Sequence, residues 1–183
     1  MAGERFGLSP QTAQISTGDP RTVNEPERFQ ESPGLPGSIS NAVLGTIVRF
    51  DGNLYRYCLH NEGSGAVAVT VGGVAHFLAL DPETGIYTIT GDQTDAIGGA
   101  NSVAGIYGNV VTNGNFCYVQ VGGVALVNTA ASTAAGDKVV GTTTDLIFGR
   151  SIAGAAPIDT VYGGVISARV SNQNSVILTN LDW

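Results

Sequence analysis

From residue 44 onward the chain alternates apolar and polar positions with the period of two that is typical of β-strands. Residues 45–50 and 54–59 alternate on either side of Asp51-Gly52, and an Asp-Gly pair between two such runs predicts a β-hairpin. Further alternating runs predict strands at residues 86–90, 103–111, 135–140, 161–169 and 176–179. The pattern predicts an all-β fold, either an antiparallel β-barrel or a sandwich.

The sequence Val-Gly-Gly-Val-Ala occurs twice, at residues 71–75 and 121–125. Two adjacent glycines suit a tight hairpin turn, which would pair Val69 with His76 and Val119 with Leu126. The alternative is one long strand with a glycine bulge. The hairpins would form matching centres of two related β halves, residues 44–90 and 103–180. Each would leave a mixed face to meet solvent or a partner, with these interface candidates: Thr70, Phe77, Tyr118 and Gln120.

The first 40 residues lack any hydrophobic period and contain five of the seven prolines. Such dense proline blocks long helices and central strands, so residues 1–40 are expected to form an extended arm before a β domain at residues 41–183. The arm is either a flexible tail or a segment that orders along a neighbouring subunit. In the second case its anchors are spaced apolar residues: Phe6, Leu8, Ile15, Val23 and Phe29. Trp183, at the end of the chain, is either a packed plug or an exposed anchor.

Composition narrows the class of protein. The chain has 26 glycines among 183 residues while 43% of its residues are hydrophobic, which favours many short strands joined by tight turns over a collagen-like or disordered chain. Charged residues are only 13%, with 15 acidic against 8 basic, so a nucleic-acid groove is not expected. No run approaches the roughly 20 apolar residues of a membrane span, and residues 1–10 do not read as a secretory signal. Assembly in a cytoplasm is expected.

Candidate chemical groups are few. His60 and His76 are too far apart for a helical metal-ligand spacing, and we interpret both as strand or turn residues. Cys58 and Cys117 make no disulfide framework and lack the surroundings of a catalytic cysteine, so two buried or half-buried thiols are expected.

Asp92 and Asp95 lie in the loop at residues 91–102, but two carboxylates lack the other oxygen ligands of a Ca²⁺ site, so we interpret them as turn residues. The chain carries neither a nucleophile elbow nor a phosphate-binding loop. We therefore expect no enzymatic activity, no catalytic residues, no cofactor and no metal.

Several segments follow one another in an order that resembles a family of tailed-bacteriophage virion structural proteins that decorate or cement the capsid. Residues 44–57 read Leu-Gly-Thr-Ile-Val-Arg-Phe-Asp-Gly-Asn-Leu-Tyr-Arg-Tyr, and residues 113–123 read Asn-Gly-Asn-Phe-Cys-Tyr-Val-Gln-Val-Gly-Gly. Residues 134–140, 162–166 and 176–179 continue the series. Each segment alone is a common β pattern, and their shared order carries the resemblance across about residues 44–180.

The resemblance implies a non-enzymatic protein on the capsid exterior that strengthens the shell. Its partners would be the major capsid protein and further copies of itself, with no direct contact to nucleic acid or membrane. A head-fibre, knob or tail-associated adhesin that binds a host-surface glycan is the alternative, although the sequence offers no clustered Trp/Tyr platform for it. A small β-fold enzyme would need a convergent polar pocket that the residue inventory does not supply.

Overall fold

A computed structural model describes residues 20, 25–26, 44–81, 86–151, 160–170, 172–179 and 181. This part of the chain is all-β, and it includes short 3₁₀ turns at Gln93–Asp95 and Gly99–Asn101. The strands are β1 (Glu25–Pro26), β2 (Ile47–Phe50), β3 (Asn53–His60), β4 (Val74–Asp81), β5 (Ile86–Thr90), β6 (Val103–Tyr107), β7 (Asn115–Asn128), β8 (Lys138–Val140), β9 (Gly149–Arg150), β10 (Val161–Val170) and β11 (Gln173–Leu178).

Five strands close a ring in the order β3, β5, β4, β6 and β7, because β7 also pairs with β3. The neighbours in this ring are antiparallel except for the short parallel contact between β3 and β5, where Leu59 faces Thr88. Alternate residues of each strand fill the ring with buried side chains, among them Cys58 of β3 and Val119 of β7. The sequence left a barrel and a sandwich open, and the structure combines a closed ring with an open sheet.

The open sheet begins on β7 itself. The first part of β7 pairs with β3 and β6, and the part from Gly123 onward pairs with β11, which continues through β10 to β8 and β9. At the change of partner the register with β3 shifts, since Leu54 faces Gly122 and Tyr55 faces Gln120. This is a bulge, and β7 therefore runs through both sheets without a break.

The hairpins predicted at the two Val-Gly-Gly-Val segments are wrong. Residues 121–125 form one long strand with a bulge, which is the alternative that the sequence left open. Residues 70–73 do form a turn, closed by the Gly73 amide and the Thr70 carbonyl, but no strand precedes it. His76 therefore faces Thr90 of β5 and Val103 of β6 rather than Val69, because β4 has partners on both sides. The wider pseudo-repeat stays a prediction.

The predicted Asp-Gly hairpin is confirmed. Phe50 faces Asn53 across a two-residue turn in which Asp51 and Gly52 have φ of 48° and 77°. Positive φ at both central residues is the turn geometry that matches the twist of the flanking strands. Of the predicted arm, the described part includes Pro20, which is buried, and β1, which pairs with residues 115–116 at the start of β7.

Replacement of Gly123 by alanine is expected to destabilise the fold by about 2 kcal/mol. Gly123 has φ +86°, and a Cβ there would collide with Asn53, whose side-chain oxygen accepts the Val124 amide at 3.0 Å. Gly114→Ala is the matched control, because Gly114 has φ +79° and open space around it, so that only backbone strain of about 1 kcal/mol applies. Urea unfolding measures both variants. Equal losses would contradict the role of the contact between Gly123 and Asn53 in holding β7 just after the bulge.

Candidate functional site

Four aliphatic side chains form an exposed patch where the open sheet leaves the ring. We call this patch the aliphatic face, and its members are 40% to 53% exposed: Val71, Val124, Leu126 and Ile177. Val124 and Ile177 are direct cross-strand partners on β7 and β11, and Leu126 lies two residues further along β7 on the same side. Contiguous exposed aliphatic side chains of this kind mark interaction surfaces more often than isolated ones do.

The unbroken course of β7 explains why these residues point outward. Successive side chains of a strand alternate between its two sides, so Val124 and Leu126 share the outer side with Gln120. The inner side carries Val121 and Val127, which are buried. A hairpin at the glycines would have placed Val124 opposite Val121 in the core, whereas the bulged strand leaves it at the surface.

Val71 joins the aliphatic face through the turn at residues 70–73. The Asn128 amide donates to the Gly72 carbonyl, and the Gly72 amide donates to the Tyr107 carbonyl, both at 2.8 Å. These bonds fasten the turn between the end of β7 and β6. Val71 consequently lines the same surface groove as Val124 and Leu126.

That groove has a volume of about 210 Å³, and its lining also includes Ile106 and Tyr107 of the ring. The polar side chains of Gln120, in the groove, and Asn128, at its rim, make hydrogen bonds within the chain. The Gln120 amide donates to the carbonyls of Gly122 and Val124, each at 3.1 Å, so it holds the bulge. At the rim, Asn128 donates to the Thr70 hydroxyl at 3.1 Å and accepts from Gln173 at 3.0 Å. An apolar centre with a polar rim is the usual anatomy of a protein interface.

The interface candidates from the sequence have different positions. Thr70 is exposed at the rim of the aliphatic face, whereas Phe77, Tyr118 and Gln120 are 4%, 3% and 8% exposed. These three side chains are therefore not open to solvent, because Phe77 packs in the ring and the other two are covered on the outside of β7, and their place in a subunit or capsid interface stays a prediction. The remaining candidates lie outside the described residues: Phe6, Leu8, Ile15, Val23, Phe29 and Trp183.

An aromatic cluster that the sequence did not reveal lies on the outside of β3 and β7. Tyr57 stacks on Phe116 with a ring-centroid distance of 5.5 Å and contacts Tyr118 at 4.9 Å. Tyr55 of β3 and Val48 of the neighbouring β2 belong to the same buried group. The pairing of β3 with β7 thus creates an aromatic cluster, but its tyrosines are buried and offer no open platform of the kind that glycan binding would need.

The inner side of β3 carries polar groups into the ring. Arg56 is buried, its guanidinium donates to the Leu181 carbonyl at 3.0 Å, and it lies 5.7 Å from the ring centroids of Phe77 and Tyr87. His60 meets the Tyr107 hydroxyl at 3.0 Å through Nδ1. The aromatic faces and the carbonyl compensate the buried cation for part of its lost hydration.

Burial shifts the pKa values of His60 and Cys58 in the directions that disfavour catalysis at neutral pH. It lowers the pKa of His60 to about 4 and raises the pKa of the Cys58 thiol to about 12, where the charge of Arg56 opposes the shift without cancelling it. A cysteine that stays protonated and fully buried is a poor nucleophile at neutral pH. Arg56, Cys58 and His60 therefore contribute packing and hydrogen bonding to the ring.

The carboxylates of Asp92 and Asp95, in the loop at residues 91–102, accept hydrogen bonds from residues 64–65 and from Thr94 of the same loop. Asp92 accepts from the Gly65 amide and from the amide and hydroxyl of Thr94, and hydrogen bonds from Thr94 are the main reason that the pKa of Asp92 is lowered. Asp95 accepts from the amide and the hydroxyl of Ser64. The interpretation of both as turn residues is confirmed, and the described ranges contain no group of three or more potential metal-ligating side chains.

Comparison with protein-family models gives no match for this chain, and comparison with curated proteins gives none either. Within the described residues no helix has the length and apolar character needed to cross a membrane.

The burial of His60 and His76 predicts that acid lowers the folding stability of the protein. His76 is fully buried, neither ring nitrogen has a hydrogen-bond partner within the described ranges, and burial lowers its pKa to about 4 despite the opposing charge of Asp145. The unfolded chain, with a histidine pKa near 6.5, binds more protons than the folded chain between about pH 6.5 and 4. Folding stability therefore falls with decreasing pH across this window, by up to about 1.4 kcal/mol per pH unit for each of His60 and His76.

The variant His76→Leu is expected to reduce this pH slope by about half, because one of the two titrating groups is removed and no hydrogen bond is lost. Urea unfolding at pH 4.5, 5.5 and 6.5 measures the slope. An unchanged slope would show that His76 does not control the acid response.

Proposed function

We propose that this chain is a non-enzymatic structural protein of a bacteriophage virion, which binds the outer surface of the capsid and stabilises the shell. The observation that carries the proposal is the aliphatic face, an exposed apolar patch on an all-β framework, bordered by the side chains of Gln120 and Asn128, which are hydrogen-bonded within the chain. Such a surface is suited to protein contact. The order of sequence motifs along residues 44–180 supports the choice of a capsid as the surface that it contacts.

The framework behind the aliphatic face suits a permanent contact. Val124 and Leu126 lie on a strand that is hydrogen-bonded to β11, and the adjacent turn at Val71 is fastened by backbone bonds to β6 and β7. A preformed surface loses little conformational freedom on binding, so more of the contact energy appears as affinity. A decoration protein that must remain bound to a pressurised shell benefits from this property.

Charge has a minor part in the proposed contact. The whole chain carries 23 charged residues, the 15 acidic and 8 basic ones noted above, and none of the four members of the aliphatic face is charged. Apolar contacts are screened by salt much less than charge pairs are. We therefore expect the partner surface on the major capsid protein to be apolar, and capsid binding to persist at high ionic strength.

Capsid binding is tested with a pair of charged substitutions on the aliphatic face. Purified protein is mixed with expanded, DNA-free capsids of the phage that encodes it, and the bound fraction is measured by cosedimentation. Wild-type protein is expected to bind and to raise the temperature at which the shells disrupt. Val124→Asp and Leu126→Asp are expected to weaken binding at least about tenfold, because each buries an unpaired carboxylate in an apolar contact.

Ile97→Asp is the matched control, since Ile97 is 50% exposed but lies in the loop at residues 91–102 outside the aliphatic face. It should bind like wild type. Absence of wild-type binding to the shells would overturn the proposed function, and equal binding by all three variants would overturn the role of the aliphatic face. Binding to host-surface glycans in place of capsids would favour the adhesin.

A further inference from the structure

The two cysteines are direct cross-strand partners inside the ring. In the register of β3 and β7, Cys58 faces Cys117, between the pairs Tyr57 with Tyr118 and Leu59 with Phe116. Residues that face each other in an antiparallel pair project to the same side of the sheet. Both thiols are free and fully buried, and both belong to the core that fills the ring.

The backbone geometry of such a pair is compatible with a covalent bond. Opposed residues of antiparallel strands have Cα atoms about 4.5 to 5.5 Å apart, in either type of pair. Disulfide-bonded cysteines have Cα separations of about 4.4 to 6.8 Å. The register alone therefore brings the two cysteines within bonding range, and no movement of β3 relative to β7 is required.

The two thiols also share one buried environment, the core of the ring. Burial raises the pKa of Cys117 far above its ordinary value, and the neighbouring Cys58 adds to that shift. The Tyr107 phenol belongs to the same buried core, and burial is the main reason that its pKa is raised, with Cys117 and Cys58 adding to the rise. Both thiols thus lie in the core that also holds Tyr107, whose hydroxyl is hydrogen-bonded to His60.

We propose that Cys58 and Cys117 are a site of oxidative modification, at which exchange with a low-molecular-weight disulfide forms an intramolecular bond that joins β3 to β7. This bond closes the ring covalently at the contact where β7 returns to β3. The inference is independent of capsid binding, since it rests on the strand register.

The exchange balances in two steps. One protein thiolate, formed by loss of its proton, attacks a sulfur of the small disulfide and releases the first small thiol. The second protein thiolate then attacks the protein sulfur of the mixed disulfide, forms the bond between Cys58 and Cys117, and releases the second small thiol. Two protein thiols lose two electrons, the small disulfide gains them, and the two protons end on the released thiols.

Burial sets the rate of this reaction. The thiolate is the attacking form, and a fully buried, protonated thiol is neither accessible nor reactive. Oxidation of the native protein therefore requires local opening of β3 from β7, whereas oxidation during folding does not. The reduced form is expected to persist in a reducing cytoplasm and the bonded form to accumulate under oxidising conditions.

The test refolds the full chain from urea in a mixture of oxidised and reduced glutathione, and in parallel with dithiothreitol. The oxidised sample is expected to lose about 2 Da relative to the reduced one, because two thiol hydrogens are removed. Peptide mapping should link Cys58 to Cys117. The bond should raise Tm by roughly 5 to 15 °C, because it restricts the unfolded chain.

Cys58→Ser and Cys117→Ser are the controls, and neither should show a Tm that depends on the redox buffer. If these variants do not fold, the two samples of wild-type protein still decide the question. The proposal is overturned if wild-type protein refolds in glutathione with two free thiols, with glutathione adducts or intermolecular dimers, or with a bond that lowers Tm.

Discussion

Strand β7 supplies hydrogen bonds to two sheets, and the shape of the molecule depends on its passage from one to the other. Its 14 residues pair first with β3 and β6 and then with β11. A twisted strand changes partners most easily at a bulge, and here the bulge at residues 120–122 is followed directly by Gly123, at φ +86° beside Asn53. Because one strand belongs to both sheets, the ring and the open sheet form one continuous framework.

The position of the aliphatic face follows from the course of β7 through both sheets. An unbroken strand keeps Val124 and Leu126 on its outer side. Tyr118 and Gln120 lie on the same side but are buried, whereas Val124 and Leu126 are exposed. The pairing with β11 places Ile177 next to Val124. The interior follows from the pairing of β7 with β3. The inner side of β3 brings Arg56, Cys58 and His60 into a ring where β7 supplies aliphatic residues and Cys117, so the polar groups must find aromatic, carbonyl or hydroxyl partners within the chain.

Local signals in the sequence predict the strands well, and contacts between distant residues explain the failures. The Asp51-Gly52 turn follows from the conformational freedom of its own residues, so the sequence suffices. The two glycine pairs satisfy a hairpin and a bulged strand equally well, and the choice depends on partners far along the chain: β5 and β6 for one copy and β11 for the other.

The candidate site shows the same division. The sequence correctly predicted that Tyr118 and Gln120 share one side of a strand, but not that this side is covered at those residues and open at Val124 and Leu126. The aromatic cluster joins β3 to β7, and no local pattern indicates that contact. Arg56, Cys58 and His60 alternate along β3, yet which side of the strand faces the core depends on closure of the ring.

Hydroxyl-radical footprinting of the capsid-bound protein tests the account most directly, because it reports the exposure of individual side chains. Oxidation of Val124, Leu126 and Ile177 is expected to fall strongly when the free protein binds capsids, while oxidation of the equally exposed Ile97 stays unchanged. Protection of Ile97 with continued oxidation of the aliphatic face would show that the protein binds through another surface and would contradict the account.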